Sequence, residues 1–498
     1  MIADLILVLD AGTTSTRAIA FSTDGAIVAS ASRPLTQHFP HSGWVEHDAG
    51  EIWRLSRDCL IDVADQVGAR RIAAIGITNQ RETMVFWDAA SGEPLANAIV
   101  WQDRRTTDIC TAMKAAGHEP MVQAATGLLL DPYFSATKIR WALDHWPQVA
   151  GAQADGRLRV GTVESWLIWK LSAGARHITD ATNASRTSLM RLATCEWDAG
   201  LLALFGVPAA ILPEITDCAG QLAVTALLGH DIAITGSAGD QQAAAIGQAC
   251  LAPGQLKATY GTGCFLLAHA GGVAPVSTHR LLSTVAWRLN GVPAYALEGA
   301  IFTAGAAVQW LRDGLGIITD SNETQGLAQS VPDSGGVVFV PALAGMGAPH
   351  WNPAARGTLT GLSGGTTRAH IVRATLEAMG QQTADLVDAL AADDVKIMAA
   401  EGGVAARLRV DGGMVANDWL CQDLADSLGV VVERPRVIET TALGAAMLAG
   451  VGVGLFADLG AASVMAMADR SFVPASDAGT RAARRAAWAR AVRQTLAV

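Results

Sequence analysis

Two short turns in this chain carry the residue types that hold phosphate. In Asp10-Ala11-Gly12-Thr13-Thr14-Ser15, glycine lets the backbone turn tightly while amides and hydroxyls face one way, making a concave anion site. Asp10 ends the preceding apolar run and is placed to bind Mg²⁺ directly or through water, since that ion favours a carboxylate together with waters and phosphate oxygens. Arg17 can add a charge-assisted hydrogen bond. Taken alone, this segment reads as an ordinary hairpin turn. The reading changes because Tyr260-Gly261-Thr262-Gly263 repeats the Gly-Thr arrangement about half a chain later. One nucleotide clamped between two domains needs one such turn from each side. Other phosphate loops are excluded. The sequence has no Gly-Lys pair and therefore no Walker A loop, and Gly450-Val451-Gly452-Val453-Gly454 fails the last position of GxGxxG.

The elements around these turns follow from apolar patterning. Leu5 to Leu9 reads as a strand leading into the first turn, and Ala18 to Phe21 as the strand leaving it. Asp24-Gly25 then signals a hairpin into a third strand from Ala26. Leu256 to Thr259 and Cys264 to Leu267 flank the second turn in the same way. Between the two units, short strands such as Ile72 to Ile77 alternate with helical stretches, the pattern of an α/β protein. The repeat predicts two similarly built halves, 1–252 and 253–498, divided near Ala252-Pro253-Gly254. Two late helices are predicted. Thr367 to Ala391 carries Ile371, Ala374, Ala378 and Leu386 on one side; the last carries Trp488, Val492 and Leu496 on one face, with Arg481, Arg485 and Arg493 on a solvated one.

Composition narrows the function classes. With 498 residues the chain has room for two to four domains, and half its residues are hydrophobic, ample for large cores. A net charge of −10 argues against nucleic-acid binding, which needs a positive field. Seven scattered cysteines, with no CxxC pair and no HExxH, predict reduced thiols and no zinc site. The apolar run at the N-terminus is too short for a signal peptide and has no basic residues before it. Ala442 to Ala457, rich in glycine and alanine, reads as a buried helix and a turn, not a membrane span. The expectation is a cytoplasmic protein with no membrane insertion.

Seven ordered blocks then resemble one family. They are Gly76-Ile77-Thr78-Asn79-Gln80-Arg81-Glu82-Thr83, Ala98-Ile99-Val100-Trp101-Gln102, Asp131-Pro132-Tyr133-Phe134-Ser135, Asn183-Ala184-Ser185-Arg186-Thr187, Ala238-Gly239-Asp240-Gln241-Gln242, Tyr260-Gly261-Thr262-Gly263-Cys264-Phe265 and Val410-Asp411-Gly412-Gly413. Together they are similar to the FGGY carbohydrate kinases, a branch of the actin-like ATPase superfamily, from about residue 5 to the final helix. The resemblance implies two actin-like (ribonuclease H-like) α/β domains with an interdomain cleft, using ATP and Mg²⁺. It implies phosphorylation of a small polyol, glycerol in the first instance, to sn-glycerol 3-phosphate, by a homo-oligomer (dimer or tetramer). Erythritol, xylitol or xylulose is the alternative acceptor.

By the same resemblance Thr13, Thr14, Ser15 and Arg17 line the phosphates, Asp10 lies near the metal with Asp240, and Thr262 and Gly263 approach from the second domain. Gly305, Gln309, Gly413 and Asn417 bound the adenosine. Arg81, Glu82, Tyr133, Asp240 and Gln241 bond the polyol hydroxyls, and Trp101 and Phe265 form an apolar wall beside its carbons. The chemistry is coherent: a triol needs donors and acceptors, and its carbon edge can rest on aromatic rings. A hydroxyl attacking a γ-phosphoryl group needs a carboxylate to take its proton, the role implied for Asp240. Asp240 follows Gly236-Ser237-Ala238-Gly239 and precedes an alanine-rich segment, so it is predicted at a helix N-terminus, where its pKa would be depressed. Each residue also has a plainer reading: an N-cap for Asp240, a surface ion pair for Arg81-Glu82, core aromatics for Trp101 and Tyr133, and a strand-ending turn for Asp411-Gly412-Gly413.

The chain departs from the glycerol-phosphorylating branch at three places. Ala11 stands where Gln is usual, which alters a contact near the phosphates. His350 and Asn352 replace the commoner Tyr and Asp, bearing on local loop geometry. Leu228-Gly229-His230-Asp231-Ile232 lacks the Gly- and Arg-containing loop that binds fructose 1,6-bisphosphate in some relatives, so that control is not expected. The reading from a different class, an actin-fold nucleotide switch without a sugar substrate, is disfavoured by the polar acceptor set.

Overall fold

The computed structural model of the chain describes residues 3–393 and 406–497. Its first sheet is built from β1 (Leu5–Ala11), β2 (Ser15–Ser22), β3 (Ile27–Pro34), β4 (Ile72–Asn79), β5 (Ala219–Thr225) and β6 (Ile232–Gly239), in the order β5-β6-β4-β1-β2-β3. β1, β2 and β3 run antiparallel through the two predicted turns, and β4 and β6 add in parallel. β1 is buried on both faces, which explains its unbroken apolar sequence. Leu5, Leu7 and Leu9 point to one core with α1 (Ala49–Val67) and α2 (Val163–Leu171), while Ile6 and Val8 point to the other.

The second sheet repeats this plan. β7 (Leu256–Tyr260), β8 (Cys264–Gly271), β9 (Leu282–Leu289), β10 (Val292–Ile301), β11 (Arg407–Asp411), β12 (Val431–Pro435) and β13 (Ala468–Phe472) run in the order β9-β10-β8-β7-β11-β12-β13. Again two antiparallel pairings (β7 with β8, β8 with β10) are followed by parallel β11 and β12, with β9 added at the edge. The two Gly-Thr turns are therefore the same β-turn-β corner in two sheets of one topology.

What joins the sheets is a pair of helices from opposite halves. α3 (Asp240–Gly247) follows β6, and α7 (Thr440–Gly452) lies far downstream, with α4 (Gly305–Gln309), α5 (Arg368–Ala392) and α6 (Asp418–Leu428) between them in the chain. α7 is the predicted buried apolar helix, but it does not cover its own half. Its Ala442, Ala445, Ala446 and Ala449 pack with Ile6, Val8 and Ala74 under the first sheet. Gly76 and Gly236 let it approach; a Cβ on Gly76 would sit 2.5 Å from the Ala445 carbonyl oxygen. Small residues also let α7 cross α3 backbone to backbone, since a Cβ on Gly444 would overlap the Ala243 carbonyl and one on Gly247 would overlap that of Thr440. Asp411, at the end of β11, ties both helices. Its Oδ2 accepts from Gln248 Nε2 at 2.7 Å and from the Thr440 hydroxyl.

The remaining helices close the second core. α5, α6 and α8 (Ala478–Leu496) bury Leu376, Leu386, Leu424, Trp488 and Val492 against β7, β8 and β10. One expectation needs correction. Arg485 of α8 is not simply solvated: its Nη2 lies 2.7 Å from both Asp385 and Asp388, anchoring α8 to α5. At the departure noted above, Asn352 Oδ1 accepts from the amides of Ala354 and Ala355, at 2.9 and 3.1 Å, and so holds its loop. All seven cysteines are buried and free. Among the described residues no helix is long and apolar enough to cross a membrane.

Gly444→Ala should lower the free energy of unfolding by about 3 kcal/mol, because neither backbone at the crossing can retreat. Gly272→Ala, where an added Cβ meets nothing within 4 Å, should leave it unchanged. Denaturant midpoints for the two variants provide the comparison.

Candidate active site

The first turn is closed by the Gly12 amide donating to Ser15 O at 3.0 Å, and Gln80 Nε2 donates to Gly12 O at 3.1 Å. Asp10 is buried just before it. Arg17, across the hairpin in register with Asp10, places Nη2 2.5 Å from Asp10 Oδ2 and Nη1 2.5 Å from Glu439 Oε2 at the start of α7. The side chain expected among the phosphates is thus turned toward two carboxylates. Burial raises the Asp10 pKa even with this guanidinium beside it. Thr14 is exposed, and Thr13 and Ser15 are partly so.

Trp101 connects this turn to the acceptor side. Its indole N–H donates to Thr13 Oγ1 at 2.9 Å, and its ring meets Tyr133 edge-on at a centroid distance of 5.7 Å and Phe265 at 6.3 Å. Phe265 is the second residue of β8, next to the second turn. Both turns and the predicted apolar wall therefore meet around one indole.

Behind the aromatic wall lies a buried charge cluster. Arg81 leaves the end of β4 with its side chain only 2% exposed. It reaches Asp240 Oδ1 through Nε at 3.1 Å, Glu298 through Nη1 and Nη2 at 2.6 and 3.3 Å, Gln242 Oε1 at 3.2 Å and the Tyr133 hydroxyl at 3.4 Å. Arg81 and Glu82 are therefore not a surface ion pair. Gly239 makes room for the guanidinium stem, since a Cβ there would lie 2.6 Å from Arg81 Cγ. Glu82 adopts a left-handed backbone, φ 61°, a conformation that costs about 1–3 kcal/mol for a residue with a side chain. Lys138 Nζ and the Ser135 hydroxyl hold its carbonyl at 3.0 and 3.3 Å, and Arg186 Nε donates to its carboxylate at 2.6 Å.

Asp240 is the first residue of α3, as predicted, and a third of its side chain is exposed. Its pKa is not depressed as the helix terminus suggests. Burial raises it, outweighing Arg81, Lys257 and the Gln241 amide, which donates to Oδ1 at 2.7 Å. Gln241 is held in turn by the buried Lys257 of β7, whose Nζ donates to Gln241 Oε1 at 2.5 Å and Thr259 Oγ1 at 2.8 Å. Burial pulls the Lys257 pKa down against the pull of Asp411 and Asp240.

The second half contributes a cavity of about 360 Å³. Five predicted residues line it: Thr262 of the second turn, Gly305 and Gln309 of α4, Gly413 after β11 and Asn417 at the cap of α6. Leu376 and Leu420 supply apolar wall. Carbonyls of the second turn anchor α4: Gly261 O accepts from the Gly305 amide at 2.9 Å, and Thr262 O from Ala306 at 3.0 Å. Gly263 sits outside the lining, its Cα facing the Ile301 carbonyl.

Sequence reasoning passed over Glu298, Lys257 and Glu439, and gave Arg186 no role. A signal existed for the first two: each is a charged residue inside an otherwise apolar strand, where an unpaired charge is not tolerated.

The chain matches the N-terminal domain model of the FGGY family of carbohydrate kinases over residues 5–247 and its C-terminal domain model over residues 256–453. It belongs to that family, and it is a kinase. Within the family, it is 54% identical over 495 residues, 98% of each chain, to a glycerol kinase of Rhodospirillum rubrum, and 51% identical to one of Dechloromonas aromatica, covering 99% and 97%. A solved glycerol kinase of Plasmodium falciparum with ADP superposes with a TM-score of 0.92 at 36% identity, covering 99% and 98%. A xylulose kinase of Lactobacillus acidophilus has the same fold, with a TM-score of 0.86 at 23% identity, covering 99% and 98%.

The Trp101–Thr13 bond is directly testable. Trp101→Phe and Thr13→Val should each cost about 1 kcal/mol in denaturant unfolding, and the double variant roughly no more than either. Full additivity would mean the two side chains do not interact.

Proposed function

We propose that this chain is a glycerol kinase, transferring the γ-phosphoryl group of ATP to a terminal hydroxyl of glycerol to give sn-glycerol 3-phosphate. One observation carries the reading. Asp240, a carboxylate one third exposed, is joined through Arg81 to Tyr133 and so to an aromatic wall whose Trp101 is hydrogen-bonded to the first phosphate-type turn. Identity above 50% to relatives named glycerol kinase supports glycerol over xylulose, erythritol or xylitol.

In this reading the adenosine takes the cavity bounded by Gly305, Gln309, Gly413 and Asn417. The triphosphate runs between Thr13, Thr14 and Ser15 on one side and Thr262 and Gly263 on the other. Glycerol rests its carbons on Trp101 and Phe265 and its hydroxyls on Arg81, Glu82, Tyr133, Asp240 and Gln241. Asp240 accepts the proton of the attacking hydroxyl; the burial that raises its pKa makes it a stronger base. Closure of the two halves excludes water, which otherwise competes as acceptor.

The donor set at the first turn fits Mg²⁺. Asp10 is a buried carboxylate at the mouth of the turn, paired with Arg17 at 2.5 Å, and a carboxylate oxygen is the donor type this ion takes together with water and phosphate oxygens. Asp10, directly or through water, and Asp240 would hold the ion, which neutralises charge on the phosphates. The protein would act in the cytoplasm, where MgATP is available.

An ADP-release assay with MgATP across glycerol, dihydroxyacetone, erythritol, xylitol and xylulose, with products identified by mass, tests the substrate. Glycerol should give the highest kcat/KM, and a preference for xylulose would overturn the reading. Asp240→Asn should cut turnover by roughly 10²–10⁴ while the protein stays folded. Gly305→Ala places a Cβ 2.6 Å from Gly261 O and should weaken ADP binding about tenfold by calorimetry.

A further inference from the structure

Glu298 belongs to the second sheet by chain and the first half by contact. In β10 it pairs in register with Leu267 of β8 and Leu282 of β9, and its side chain is fully buried. Its carboxylate leaves that sheet and is gripped by two arginines of the other half. Oε2 accepts from Arg81 Nη1 at 2.6 Å; Oε1 accepts from Arg81 Nη2 at 3.3 Å and Arg186 Nη2 at 2.9 Å. Burial alone would raise the Glu298 pKa, but Arg186 and Arg81 outweigh it and hold the carboxyl at about 2. The group is therefore charged throughout the working range.

The charges of this cluster show what Arg81 is for. Arg81 and Arg186 are matched by Glu298 and Glu82 without Asp240. Arg81 is thus not supplied merely to neutralise Asp240. It presents a fixed plane on which Asp240 Oδ1 sits at 3.1 Å and the Tyr133 hydroxyl at 3.4 Å. A guanidinium is a rigid fork, so holding two of its nitrogens fixes where its charge stands against Asp240, with which it makes an ion pair.

We propose that Glu298 is a positioning residue for phosphoryl transfer, gripping Arg81 from the second sheet so that Arg81 aims Asp240 and Tyr133 at the acceptor hydroxyl. The inference rests on the glycerol kinase reading above and adds a residue to it. It makes the acceptor pocket of one half depend on the seating of a strand from the other. A shift of about 1 Å in such a group is worth about a hundredfold in rate, so the grip matters even though Glu298 touches no reacting atom.

A double-mutant cycle separates positioning from a purely structural ion pair. Glu298→Gln should lower kcat/KM for glycerol about 30- to 100-fold while the KM for ATP changes less than about twofold. In an Arg81→Met background the same change should cost less than about threefold, because the group it aims is gone. Should Glu298→Gln fold poorly, Glu298→Asp keeps the charge but retracts it. It should melt near the unmodified chain, bind ADP normally by calorimetry and still lose about tenfold in kcat/KM. A loss of equal size in both backgrounds, or Glu298→Asp within about threefold of the unmodified chain, overturns the proposal. Absence of glycerol turnover in the unmodified chain overturns the glycerol kinase reading itself, and this inference falls with it.

Discussion

The structure depends on the crossing of two short helices from opposite halves of the chain. α3 carries Asp240 at its first position and Gly247 at its last, the two ends of an eight-residue helix, and the glycine end is pressed against α7 with no side chain between. A base at one end of a rigid helix and a backbone contact at the other leave little freedom for Asp240 to move relative to α7. Asp411 reinforces the joint by bonding both Gln248 and Thr440. Each half thus supplies one Gly-Thr corner, and the backbone-to-backbone crossing beneath them resists sliding of one half past the other.

A second constraint is electrostatic. Arg81, Arg186, Glu82 and Glu298 are buried together, and such charges persist only when geometry and further hydrogen bonds offset their desolvation. Here the partners come from both halves of the chain, as they do where Arg17 joins Asp10 to Glu439. Removing one partner of such a group leaves an uncompensated buried charge, so the members of the cluster depend on one another.

Much of this plan was legible in the sequence, and the parts that were not share a cause. The two corners were readable because Gly-Thr turns between apolar runs are local signals, and Asp24-Gly25 is another. The buried nature of α7 was also local, since no polar face interrupts Ala442 to Gly450. Its docking under the first sheet was not, because nothing in an alanine-rich helix names its partner. Glu298 escaped for a similar reason: an acid in Tyr295-Ala296-Leu297-Glu298-Gly299 announces a buried partner without saying which. Helical periodicity alone puts Arg485 on a solvated face because it does not see Asp385 on the neighbouring helix. The direction of the Asp240 pKa failed on magnitude. A helix terminus is a small local effect, and burial in the cleft is a larger one that only the assembled halves create.

The lending of α7 to the first sheet bears on how the chain is made. A ribosome finishes residues 5–247 well before it reaches Thr440, so the nascent first sheet emerges with one apolar face uncovered. Ile6, Val8, Phe21 and Ala74 await a helix roughly two hundred residues away. In this chain the stretch that matches the N-terminal domain model is therefore completed by a helix from outside it. Its completion waits on the C-terminal part, and until α7 is made that apolar face lacks the helix that covers it.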